Sequence, residues 1–564
     1  MATVYIDPTG TYNGDGTSQA PATVGGGVGA KNTYVGLTWT SGNSYLQKSG
    51  TKYTGQVTIA ASNVTMSSYG IGAKPIIDAN NANNFCVYHT GKNAVIIDGF
   101  EFRNSTSTSG VVIPDGSSTG NIIRNCLFNG MPKRGILLGA SQTGAIIDNN
   151  VFVSSVTPSE GVFSSAATST ISNNTFTNTY TPKGSGIFGI RVVSTTGGDI
   201  YGNTIGSSTS DSAFYGVSLE SVTGASVHQN TIIGCWNGLV YPSGDGYGIQ
   251  LTLASAGNKV YKNIISTCNR GYLDSSSSGN GGNAFYYNVV LNSQVNGIDF
   301  RGASTVNPGL IYNNTVIHHP LPAGNAGHGV VVQVAGAKAN IYNNLVTCDV
   351  AGSDVQCLSL AGPYTTININ NNLYYATNGA HVAALDLTNY DSLSSFQSAM
   401  SGKATIVGKD SSSISSNPYL CSTYLPTLSS PGIGAGTNVA ITGVVSLTDR
   451  NSNPVTDSSG NAYSRYVLGV QKDSVDIGAY QVFDALSINA SGHAVGGFFN
   501  AGNPYTVSLP DSLSGYSVVL SGGVVNLTTP LKSDWIKIRL TDGAGAIFDS
   551  SIPVDIVKGK GFSW

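Results

Sequence analysis

The sequence is short of charge. Only 10% of its 564 residues are Asp, Glu, Lys or Arg, against about 25% in an average globular protein. It has no basic stripe of the kind that holds nucleic acid and no acidic tail, and a net charge of −3 points to no charged partner. No run approaches the roughly 18 apolar residues of a membrane span, so no membrane insertion is expected. The start, Met1-Ala-Thr-Val-Tyr-Ile-Asp-Pro8, lacks the basic and apolar regions of a secretory leader. The chain is expected either to be made without a leader or to have lost one. Seven cysteines form no CxxC pair, and no P-loop, zinc motif or nucleophile elbow is present. No metal and no cofactor are expected.

Turn formers are abundant instead. Glycine stands at 72, and 29 tyrosines with 17 phenylalanines exclude a disordered chain. A short pattern recurs: two apolar residues, a polar one, asparagine, then apolar residues again. It reads Ile-Ile-Asp-Asn-Asn-Val-Phe to Phe152, Ile-Tyr-Gly-Asn-Thr-Ile to Ile205 and Ile-Tyr-Asn-Asn-Thr-Val to Val316. The shared asparagines are Asn150, Asn174, Asn203, Asn230, Asn263, Asn288, Asn314, Asn344 and Asn372, with Cys126 in the equivalent place one repeat earlier. The mean step is about 28 residues, within the range of about 20–50 that marks a solenoid. Asparagine tolerates a left-handed turn, and stacked at about 4.8 Å its amides can form a ladder. A second strand opened by glycine follows in most repeats, as at Gly189, Gly216, Gly297 and Gly329. In the Asn230 repeat that strand begins at either Gly238 or Gly248. The leucine pattern of leucine-rich repeats and the hairpins of propellers are missing. The remaining fold is all-β, a parallel β-helix. Cys235 and Cys268 each follow a repeat asparagine by five residues, so they are expected near each other on neighbouring coils. Buried thiols, a disulfide and a metal role all stay open for them.

The opening Tyr5-Ile-Asp-Pro and Asn13-Gly-Asp-Gly-Thr-Ser-Gln-Ala-Pro21 resemble the entry segment of the pectate-lyase-like superfamily of right-handed β-helices. Ser430-Pro-Gly-Ile-Gly-Ala-Gly436 with Val475-Asp-Ile-Gly-Ala-Tyr-Gln481 resembles its closing coil, with Gln481 where glutamate is usual. The resemblance spans about residues 1–482 and implies a fold shared by lyases, hydrolases, epimerases and adhesins. A β-helix followed by a small C-terminal β-domain is similar to bacteriophage tailspikes. That similarity implies a homotrimer that binds and cuts bacterial surface polysaccharide, in the virion tail or outside the cell.

The expected organisation is an N-terminal cap over 1–50, coils over 51–402, a last coil and C-terminal cap over 403–482, and a β-sandwich over 483–564. A short helix is expected at 391–400, closed by Gly402. Long intervals from Asn203 to Gly216 and from Asn314 to Gly329, with an insertion around 235–248, flank two short turns. They predict a groove across the solenoid. On its floor, period-two alternation turns Asp299 and Arg301 outward, with Glu220 and Arg191 outward on earlier coils and Asp274 at the end of the strand between. Glu220, Asp274 and Asp299 are expected to share one exposed face. Asp299 is the candidate base or nucleophile and Glu220 the acid, with Asp274 as substitute and Arg301 biasing ionisation. Trp236, Tyr241, Tyr247, Gln250 and Tyr272 are candidate sugar contacts, as are His318, His319 and His328. Each of these residues also has a plain reading, as solvated charge, loop packing or surface histidine. Four functions remain open: a glycoside hydrolase, a polysaccharide lyase using a base with an Arg, Lys or cation, a non-catalytic glycan-binding adhesin, and a purely structural spike, which explains the charge-poor shaft but not the groove. Reducing ends and unsaturated products separate them.

Overall fold

The computed structural model describes residues 2–437 apart from 107–108, 114–115, 155–159, 179–187, 207–214, 236–245, 277–280, 303–306, 320–326, 334–335, 350–354, 421–423, 425 and 427–429. Beyond 437 it describes 475–480 and a set of paired strands. The chain winds as a parallel β-helix. Each coil places one short strand in each of three sheets, of 15, 14 and 14 strands, parallel except for Thr388–Tyr390, which closes the third sheet antiparallel. We number the sheets in the order the chain meets them: the first ends at the asparagine corner, the second follows it, and the third precedes the return.

Alternation inside these short strands makes the core. On the first sheet Ile97, Ile123, Ile147, Ile171 and Ile200 stack inward, each at most 2% exposed. On the second the inward column runs Phe102, Phe128, Phe152, Phe176 and Ile205. The Phe152 and Phe176 rings lie 4.6 Å apart and nearly parallel. Each such side chain contributes about 1.5–3 kcal/mol by leaving water. Facing this column, the third sheet carries a column of glycines. A Cβ on Gly135 would come within 2.5 Å of the Phe152 ring and 2.7 Å of the Gly161 carbonyl. Glycine opens the third-sheet strand because the phenylalanines fill the space a side chain would need. Gly248 pairs between Gly216 and Gly271 in this column, which assigns the strand of the Asn230 coil to Tyr247–Leu253.

The asparagine ladder is continuous. From Asn150 to Asn344 each Nδ2 donates to the next Oδ1 at 2.9–3.1 Å. Each backbone N–H donates to the same oxygen, and Cys126 N–H opens the series on Asn150 Oδ1 at 2.9 Å. One expectation is corrected. The left-handed residue is the one before the ladder position: Asn149, Asn173, Gly202, Gln229, Lys262, Tyr287 and Asn313 all have φ of 50–65°. The ladder asparagine is selected for its amide, and its neighbour for the turn.

The ends differ from the sequence expectation in detail. Thr3–Ile6 and Ser44–Lys48, inside the expected cap, already pair in register as the first two strands of the first sheet. The helix Leu393–Met400 is capped by Ser392, whose hydroxyl accepts from Ser395 N–H, and it buries Phe396 and Met400 against the end of the core. Ile406–Val407 and Ile414–Ser415 finish the first and second sheets. The segments 430–436 and 475–480 do not form a closing coil. They lie along the outside of the asparagine corner, where Asn313 and Asn343 side chains bond to the carbonyls of Asp476 and Thr437. Val475 packs with Tyr286 and Tyr312, and Ile477 with Leu345 and Leu373. The C-terminal strands pair antiparallel in sheets of four and three strands. The expected packing of these sheets as a sandwich falls on residues outside those described.

Candidate functional site

The outer face of the third sheet gathers the charged side chains that alternation turns outward. Over its fourth to seventh strands they form a chain of opposite charges. Arg134 pairs with Glu160, and Arg191 Nη1 donates to Glu160 Oε1 at 2.9 Å. Arg191 also grips Glu220 in a fork, with Nε to Oε1 at 2.8 Å and Nη2 to Oε2 at 2.9 Å. Phe163 lies under the row, 4.3 Å from the Arg134 guanidinium. The contact with Glu220, helped by Glu160, outweighs burial and sets the Arg191 guanidinium firmly in its charged form. Glu160 and Glu220 are only partly exposed, at 9% and 17% of their side chains.

Further along the solenoid the same face carries a second cluster. Asp299 accepts from Arg270 Nε at 3.0 Å, Arg301 Nε at 2.9 Å and Nη2 at 2.8 Å, Asn296 at 2.8 Å and Gln333 at 2.9 Å. Burial raises the Asp299 carboxyl, but the two guanidiniums and Gln333 outweigh it and hold the pKa below the ordinary carboxylate value. The Asp299 side chain is fully buried, whereas Arg301 is 39% exposed above it. Five donors occupy the lone pairs of Asp299. Its geometry suits holding Arg270 and Arg301 in place, not taking a proton from a substrate.

Several sequence expectations are sorted by this register. Arg191, Glu220, Asp299 and Arg301 face outward as expected, and so does Gln250, half-buried and paired with Ser218 and Leu273. The expected common face for the three carboxylates is corrected on two counts. Asp274 points into the solenoid, 1% exposed, where it accepts from Ser276 and Asn283. Burial raises its carboxyl above the ordinary value against those hydrogen bonds. Asp299 is outward but sealed, and its strand lies three steps from that of Glu220, about 14 Å along the sheet. Glu220 also sits two residues further along its strand.

Among the expected sugar contacts, Tyr272 is in the core, stacked 4.1 Å from Phe285. His318 is also inward and fully buried, and neither ring nitrogen has a hydrogen-bond partner. Burial, with His328 and His319 nearby, pushes its pKa down to about 3. His319 is half-buried, and His328 is half-buried in register with Asn296 and Gln356. Tyr247 is 8% exposed at the start of its strand, with the Arg270 guanidinium 5.4 Å from its ring centre. Trp236, Tyr241 and the long turns of the expected groove lie outside the described residues. Glu160 was missed as a site residue. Its signal was legible: it directly precedes Gly161, the glycine that opens the third-sheet strand of the Asn150 coil.

Among the described residues no group of three His, Cys, Asp or Glu is placed to hold a metal, and no helix is long and apolar enough to cross a membrane. The six described cysteines are free and buried. Cys235 and Cys268 do meet on successive coils, and that contact, with burial, pushes the Cys235 thiol well above its ordinary value.

Comparison with known proteins agrees with the fold. Residues 85–209 and 160–346 match the family model of the right-handed β-helix region. No curated protein matches the sequence. Among solved structures, XylC with xylose is 13% identical over 74% of this chain and 87% of its own, with a TM-score of 0.45. Pectate lyase Pel9A is 14% identical over 85% and 96%, with a TM-score of 0.33. A double mutant of the tailspike protein of E. coli bacteriophage HK620, in complex with pentasaccharide, is 10% identical over 61% and 66%, with a TM-score of 0.36.

Proposed function

We propose that the protein binds a polysaccharide along the outer face of the third sheet and hydrolyses it at the Glu160–Arg191–Glu220 cluster. The observation that carries the reading is the sharing of one guanidinium by two carboxylates on an outward face. Glycoside hydrolysis needs two carboxylates, about 5–5.5 Å apart for retention or 6.5–9.5 Å for inversion. Two groups gripping one guanidinium fall on that scale. Glu160, paired with Arg134 and Arg191, is assigned the base or nucleophile role. Glu220, on the other side of Arg191, is assigned the acid role. Arg301 and Arg270, two to three coils further on, provide a fixed positive floor for a polar or acidic part of the same glycan.

A bacterial surface polysaccharide as substrate, a virion or extracellular setting and a homotrimer belong to the same proposal. They rest on the resemblance to tailspikes. A monomer by light scattering at micromolar concentration would remove the trimer.

A second reading is favoured by one observation: Arg301 stands exposed over a buried Asp299. A fixed cation there suits a lyase, in which a uronate carboxylate is neutralised before the neighbouring proton is removed. Incubation with a panel of capsules and O-antigens separates the readings. Hydrolysis leaves new reducing ends without an ultraviolet-absorbing unsaturated sugar, elimination leaves both, and an adhesin leaves neither. On a substrate the parent hydrolyses, Glu160→Gln and Glu220→Gln should each lower cleavage by about 10²–10⁴-fold with glycan binding kept. Full activity in either variant would remove that residue from the mechanism.

A further inference from the structure

A cavity of about 590 Å³ opens on the outer face of the second sheet, near the C-terminal end of the solenoid. Its floor is set by register. Ile317, Thr347 and Tyr375 are paired neighbours on three successive strands, all turned outward. The chain at Asn417–Leu420, with Tyr424, forms one wall, and Asn417 Nδ2 donates to the Tyr375 hydroxyl at 3.4 Å. Asp349, Thr377 and Asn378, at the strand ends, form the other.

The polar groups of that second wall are organised from within. Thr377 Oγ1 donates to Asp349 Oδ1 at 2.8 Å, and Asn378 Nδ2 donates to the same oxygen. Both bonds fall on Oδ1, so the carboxylate is fixed while Oδ2 is left to accept from a ligand. Asn378 itself sits at φ 55°, a left-handed position that turns the chain sharply beside the cavity. The cavity thus offers an oriented carboxylate, two side-chain amides and two tyrosines, with apolar surface from Ile317 on the floor and Leu420 in the wall.

We infer that this cavity is a saccharide-binding site, separate from the third-sheet face, and that it takes one or two neutral sugar units. The size lies within the range of about 300–1,000 Å³ for small-molecule sites. Tyrosine faces supply apolar area with a polar edge, which matches the two sides of a sugar ring. A carboxylate oxygen accepts from hydroxyl groups, and the amides of Asn378 and Asn417 both donate and accept. The charge decides between sugar classes. Asp349 is the sole charged side chain among the described residues that line the cavity. An acidic sugar would meet repulsion from that carboxylate. The third-sheet face, with its four arginines, has the opposite preference. The inference does not depend on cleavage at Glu160 and Glu220.

The test uses the full chain and calorimetric titration with lactose, maltose and N,N′-diacetylchitobiose, and with digalacturonate as the acidic probe. At least one neutral disaccharide is expected to bind. Asp349→Asn and Tyr424→Ala, each with an unchanged thermal midpoint, are expected to weaken it at least 10-fold. Glu160→Gln should leave that binding intact, so a failure of the hydrolase reading and a failure of this one are told apart. The inference is overturned if no neutral disaccharide binds, if both cavity variants bind like the parent, or if digalacturonate binds more tightly than the neutral sugars and loses affinity in Tyr424→Ala.

Discussion

Asp410 ends the asparagine ladder, and replacing it with asparagine should stabilise the protein above neutral pH. Asn372, the last ladder member, donates from Nδ2 to Asp410 Oδ1 at 3.3 Å and from its backbone N–H to Ser413 Oγ at 2.7 Å. Ser413 in turn donates to Asp410 Oδ1. Asp410 is fully buried, and its second oxygen has no hydrogen-bond partner. Burial raises the carboxyl from 3.8 to about 6, against the opposing pull of Ser413, the nearby Tyr374 hydroxyl and Asn372.

The folded value lies above the unfolded one, so between them the folded state binds more protons. Stability therefore falls as pH rises from about 4 to about 6, and the full cost is present above that. Two units at about 1.4 kcal/mol each give roughly 3 kcal/mol. Asp410→Asn keeps the accepting oxygen and cannot ionise. Thermal unfolding followed by circular dichroism should show the variant melting a few degrees above the parent at pH 8. At pH 4 the two should nearly coincide. A variant that melts below the parent at pH 8, or a difference that is the same at both pH values, would refute the argument.

Three further outcomes follow from the same architecture. Asn230→Ala removes four hydrogen bonds, from Asn203 N and Nδ2 and to Ile200 O and Asn263 Oδ1. It should cost roughly 3 kcal/mol or more in urea unfolding, and a cost under about 1 kcal/mol would deny the ladder its structural role. Gly271→Ala places a methyl 2.6 Å from the Gly297 carbonyl and against Val290, so soluble folded protein should be lost. Gly257→Ala, in open space at φ +62°, should cost only about 1 kcal/mol, and equal behaviour of the two would refute the packing argument. His318, held near 3 in the fold, binds fewer protons than the unfolded chain between that value and about 6.5. Stability is then intact above that window and falls with pH through it, so His318→Leu should shift acid unfolding to lower pH.

The fold was legible because its rules are local and repeated. A period of about 28 residues, an amide at one fixed place and a glycine at another are statements about single positions, and stacking multiplies each of them. Period two then placed Arg191, Glu220, Asp299 and Arg301 on the correct side. What failed was the reading of strand ends and distances between coils. Asp274 is the fifth residue of Arg270–Ser276, in register with Leu251 and Phe300, both inward, so counting from the shared glycine would have turned it inside. Glu160 lies one position before its strand-opening glycine, whereas Arg191 and Glu220 lie two and four after theirs, so the same alternation does not reach it. The strap of 430–436 and 475–480 could not be foreseen. It reaches asparagines more than 60 residues away in sequence, through backbone carbonyls that carry no residue signature.

The ladder is also directional. Every amide from Asn150 to Asn344 donates toward the next coil in sequence and accepts from the one before. As the chain emerges from the ribosome, each newly wound coil therefore leaves two donors waiting, and only the following coil can satisfy them. Burying such donors unmet costs about 1–3 kcal/mol each, so a coil is complete only when its successor has been laid on it. The ladder closes where Ser413 and Asp410 take the last two donors without presenting any to a further coil.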